Sequence, residues 1–130
     1  MGALGEAHNL AHSIENRWLE AYVGAHWGIT AVHFDRPQKA HALFERSLLL
    51  APDVTPNAVT VGLSNYGLAQ IALANGEPRR AARLSLEALG PLQEADHALA
   101  REVRAWRAGN QLEADDEVSA KRCLLYVIAA

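Results

Sequence analysis

Six histidines in 130 residues are the first candidates for chemistry. His8 and His12 form the best pair, because side chains four apart share one helix face and could bind a metal together. A site needs a third ligand, for which His41 and Glu15 are the candidates, and no metal-binding motif joins them; the reading is that these histidines are solvated or partly buried and that no cofactor is bound. A second set is cationic: Arg101, Arg104 and Arg107 recur every three residues, and Arg79, Arg80 and Arg83 cluster earlier. Phosphate binding is one use of such a series. Glu77, Glu87, Glu94, Glu102 and Asp115 lie close by, so a solvated face with paired charges is the reading adopted, with Trp106 in the core.

Nothing else suits catalysis. There is no glycine-rich phosphate loop, no HExxH and no nucleophile elbow. Cys123, the single cysteine, lies in the apolar run from Cys123 to Ile128, which would raise its pKa and keep it inert. The carboxylates of Asp115, Asp116 and Glu117 stand where a helix N-terminus would favour them. The chain is therefore expected not to be an enzyme. A formal charge of −3 carries no electrostatic case for nucleic acid as the principal partner. One cysteine, no basic leader and no run of about 18 apolar residues lead to the expectation of a cytoplasmic protein that is neither secreted nor membrane-bound.

The elements that would hold these groups are written as a repeat. Asn16, Asn57 and Asp96 are helix-capping residue types at steps of 41 and 39 residues. The turn-prone Asp35, Gly76 and Asp115, then Ala40, Ala81 and Ala120, keep the same steps. A period near 40 marks helical hairpins, here expected over about 16–50, 57–91 and 96–130, with a helix over 3–14 before them. Within the first hairpin Leu19, Val23, Trp27 and Val32 have helical spacing; Pro37 starts the second helix, which is expected to turn Ala40, Leu43, Phe44, Leu48 and Leu49 inward. Gly76 and Pro78 punctuate the second copy, whose last helix is expected to end near Gly90-Pro91. In the third copy Asp96 is expected to start a helix, with the turn near Glu113 to Asp116 and a last helix from about Glu117 to Ala130. The apolar segments Leu4 to Ile14 and Cys123 to Ala130 have no polar cap, so the chain reads as a piece of a longer solenoid that self-associates through Leu4, Leu10, Leu124, Tyr126 and Ile128.

The residues Trp27-Gly28, Ala31, Ala40, Phe44 and Pro52, echoed by Leu68-Ala69, Ala72, Gly76, Ala81 and Ala88, resemble the tetratricopeptide repeat. Small residues at Gly28, Ala69 and Ala108 would let paired helices approach, with Phe44 and Leu124 filling the space between hairpins. Ser85 stands where the pattern has an aromatic, and Gln93 where it has proline. The long unit is similar to arrays in large bacterial signalling ATPases and LuxR-type or antibiotic-regulatory transcription factors. The resemblance implies an all-α, right-handed superhelix of antiparallel hairpins, about seven helices in all. It places Tyr22, Ala25, Ile29 and His33, then Leu63, Tyr66, Gln70 and Ala74, along a concave groove. The lysine and asparagine clamp of chaperone-tail binders is missing. The function implied is a protein-interaction or effector-sensing module with a protein or peptide partner. The alternative is a receptor binding a small ligand or peptide in the groove around Tyr22, His33, Tyr66 and Gln70.

Overall fold

The computed structural model describes residues 2–51, 58–95 and 97–112. Within them the regular elements are all helices: α1 (Gly2–Ser13), α2 (Arg17–His33), α3 (Pro37–Leu50), α4 (Ala58–Ala74), α5 (Pro78–Glu94) and α6 (Leu99–Gly109). None is long and apolar enough to cross a membrane. The expected caps Asn57 and Asp96, and the whole of 113–130 with Asp115, Ala120, Cys123, Leu124, Tyr126 and Ile128, lie outside the described residues.

One turn design ends α1, α2, α4 and α6. Glu15, Asp35, Gly76 and Gln111 each adopt the left-handed conformation, with φ of 57°, 57°, 78° and 60°. The next residue's N–H returns to a helix carbonyl five positions back: Asn16 to Ala11, Arg36 to Ala31, Glu77 to Ala72 and Leu112 to Arg107, at 2.8–2.9 Å. These bonds satisfy carbonyls that a helix end otherwise leaves open. In the first three turns the same residue also begins the next helix. Asn16 accepts the Leu19 N–H on its side chain at 3.0 Å, whereas Arg36 and Glu77 are followed by Pro37 and Pro78, which need no N–H there. Replacing Asn16 with alanine should cost about 1 kcal/mol of stability in urea denaturation, because one first-turn N–H loses its acceptor.

One boundary differs from the sequence reading. Helix α5 does not stop at Gly90-Pro91 but runs through Pro91 to Glu94. The proline disrupts local bonding, yet Leu92 one residue on is fully buried against Gly62 of α4, and that packing holds the last turn. Helix α6 ends at Gly109 with a left-handed residue at Gln111, so the described left-handed positions of α2, α4 and α6 step by 41 and then 35 residues; the turn expected near Glu113 to Asp116 lies outside the described residues. Leu112 closes the turn at Gln111 and is buried with Ala81, Ala82 and Leu84.

Helices adjacent in sequence pack on one another, and α4 also packs on α2 and α6. The antiparallel sense is visible in side-chain order: from α3, Phe44 meets Gly28 and Ser47 meets Gly24, and from α1, His8 also lies at Gly24 while His12 meets Glu20. Leu49 of α3, expected to turn inward, is 71% exposed because its side of the helix meets no neighbour among the described residues. The Phe44 ring is wedged between Gly28 of α2 and Gly67 of α4, and a Cβ on either glycine would overlap the ring carbons. Phe44 thus fills the junction as expected. Its second glycine is Gly67, however, and Ala108 is exposed rather than packed between helices. Helix α4 carries no charged residue and is covered on most sides, which is why its sequence lacks an amphipathic pattern.

Candidate functional site

Positions 18, 22, 26 and 29 of α2 follow one another at helical spacing, so their side chains form a stripe. Trp18 stacks on Tyr22, with ring centroids 5.5 Å apart and planes at 12°. Tyr22 meets His26 at 4.6 Å and 59°. Beside this stripe a cavity of about 340 Å³ is lined by Leu4 of α1 and by Tyr22, Val23, His26, Ile29 and Thr30 of α2. Nε2 of His26 is enclosed and has no hydrogen-bond partner among the described residues. Burial holds this imidazole below its ordinary pKa of 6.5. At neutral pH it is therefore an uncharged ring able to accept or donate one hydrogen bond. The arrangement suits recognition of an apolar surface.

The expected groove residues are only partly gathered here. Tyr22 and Ile29 line the cavity, joined by Leu4, which the sequence suggested for an end interface. His33 is exposed at the end of α2 and does not line it, and Gln70 is half-buried on α4 away from it. Tyr66 corrects the reading: it is 6% exposed, packed edge-on against Trp106 with centroids 5.5 Å apart, in a cluster with Ala88, Leu92 and Val103. Burial, with Glu102 adding, pushes its hydroxyl up to about 12. Leu63 and Ala25 are likewise buried, and Ala74 is exposed. The sequence missed Trp18, Leu4 and Thr30 as neighbours of Tyr22; the spacing of 18, 22, 26 and 30 was the available signal for the α2 members.

The other candidate residues have different partners from those the sequence suggested. His8 and His12 do not act as a pair. The His8 ring meets Trp27 edge-on at 5.4 Å, whereas His12 Nδ1 bonds Glu20 Oε1 at 2.7 Å. The Glu20 carboxylate is buried and also faces Arg46 Nη2 at 3.5 Å. Among the described residues no three His, Cys, Asp or Glu side chains group to hold a metal. The arginine series divides as well. Arg101 and Arg104 are exposed, but Arg107 is buried, with Nη1 donating to the Ala82 carbonyl and to Ser85 Oγ. The sequence placed it on a solvated face; an arginine whose fork reaches a carbonyl and a hydroxyl can be enclosed instead.

His8 is also held below 6.5, chiefly by burial, with Arg46, His12 and Lys39 adding and Glu20 opposing. The unfolded chain therefore takes up protons at these two histidines before the native state does. Stability should be full above about pH 6.5 and fall as the pH drops below that value. Melting temperatures measured from about pH 8 to about pH 5 should show the decline, and His26→Gln should reduce it. No family model matches the chain, and neither a curated protein nor a solved structure matches it.

Proposed function

We propose that this chain is a protein-interaction module of the tetratricopeptide type, acting as a scaffold or effector-sensing part of a bacterial regulatory protein and performing no catalysis of its own. The observation that carries the reading is the open apolar face around Leu4, Tyr22, His26 and Ile29, on a stack where α2 meets α4 and α4 meets α6 besides each helix's own sequence neighbours. That connectivity is what an array of hairpins stacked as a curved superhelix would have. Leu10 of α1 and Ile14 just after it are further exposed apolar residues, both about 60% accessible. The partner is a protein or peptide segment presenting apolar side chains.

A second reading is favoured by the cavity itself: about 340 Å³, lined by Leu4, Tyr22, Val23, His26, Ile29 and Thr30, is within the size range of small-ligand sites. A thermal-shift comparison separates the two. Amphipathic helical peptides should raise the melting temperature of the full chain, since a ligand of the native state stabilises it. If only metabolites do so, the receptor reading replaces the first.

A further inference from the structure

The chain contains its own template for what covers the α1–α2 face. The turn bonds place Ala31 of α2 and Ala72 of α4 in equivalent positions, 41 residues apart. On that register Tyr22, His26 and Thr30 correspond to Leu63, Gly67 and Ile71. All three α4 residues are buried, in a helix that packs on the preceding hairpin of α2 and α3. The same comparison works for the outer helices. Pro37 and Pro78 begin α3 and α5 41 residues apart, and the turn bonds from Asn16 to Ala11 and from His97 to Leu92 relate α1 to α5. Leu4 and Ala7 of α1 therefore correspond to Phe44 and Ser47 of α3.

In the complete junction, Phe44 and Ser47 are covered by α2, which presents Gly28 and Gly24 to them. These two small residues are four positions apart, so one helix face lets two side chains of its neighbour approach closely. At the α1–α2 face, Leu4 and Ala7 have no such helix over them among the described residues; both are half-buried only. We infer that this face takes one helix of a partner protein, running antiparallel to α1, whose contacting side carries two small residues four positions apart over Leu4 and Ala7. This rests on the interaction-module reading and adds the kind of partner. Continuity with the α2–α3–α4 interface sets the partner's direction and its small residues.

The test uses the full chain and a labelled, stapled helical peptide copied from residues 16–36, because α2 is the helix that fills the corresponding place one period on. Fluorescence anisotropy should show saturable binding. Exchanging the peptide's own Gly28 for Leu should weaken it roughly tenfold or more, as overpacking does. Leu4→Glu in the protein should weaken it similarly with unchanged circular dichroism, and Tyr22→Ala serves if that variant fails to fold. Equal binding of the Gly28→Leu peptide would overturn the small-residue inference and leave the module reading in place. No binding by any stapled helix, together with no thermal shift, would overturn both. A dimer in sedimentation that Leu4→Glu dissociates would also overturn it, since a second copy would then be the occupant.

Discussion

Replacing Phe44 with alanine is expected to lower the unfolding free energy by about 3–5 kcal/mol, the range for deleting a buried aromatic side chain. Phe44 is fully buried, and its ring is the contact through which α3 joins α2 to α4. Because domains of this size have only about 5–15 kcal/mol of net stability, the loss should be plain in urea denaturation as a lower midpoint at similar slope. The glycines sharpen the test. Alanine is a better helix former than glycine by about 1 kcal/mol, so Gly67→Ala would stabilise a helix with free space beside it. Here its Cβ would overlap the Phe44 ring, and the substitution should destabilise. With Phe44→Ala already present the obstacle is gone, and Gly67→Ala should become neutral or stabilising. Equal destabilisation in both backgrounds would reject the wedge.

Arg107→Ala is expected to cost about 2–4 kcal/mol, because the guanidinium is buried and its hydrogen bonds are of the charged kind, each contributing about 1.5–3 kcal/mol. Its partner Ser85 occupies the position of Phe44 one period later. The first junction is filled by an aromatic from the outer helix, and the second by an arginine reaching from α6 onto a serine. Ser85→Phe alone should also destabilise, since the ring would compete with Arg107 for one space. The double variant Ser85→Phe with Arg107→Ala should lose less than the two singles summed, by at least about 1 kcal/mol, because an aromatic then fills the volume that arginine left. Additive losses would show that the two positions do not share a junction.

The serine illustrates what was legible in the chain. Its departure from the tetratricopeptide pattern was visible, but its reason was 22 residues away, in an arginine that local charge patterning assigned to solvent. A spacing of three among Arg101, Arg104 and Arg107 indicates a helix and not which side of it is covered. Trp106 was correctly read as leaving solvent, because a large aromatic ring in an amphipathic helix has few other favourable places. Pro91 misled in another way. A local breaker suggested a boundary there, while buried Leu92 kept the helix going. For the candidate site, Tyr22 and Ile29 were found through helical spacing, which is a local property. Tyr66 was misplaced because its neighbours belong to two other helices.

The sequence by itself determined the helices and most of their turns, since capping residues, prolines and apolar spacing act over a few neighbouring positions. Asn16, Asp35, Gly76 and Pro78 sit where local backbone energetics need them. Tertiary structure alone decided which side of each helix is covered. It set Phe44 between two glycines, buried Arg107 on Ser85, enclosed Tyr66 and left Tyr22, His26 and Leu4 at an open face. These outcomes depend on volume and hydrogen-bond partners brought together from distant positions, and no periodicity along the chain encodes which distant residue will be there.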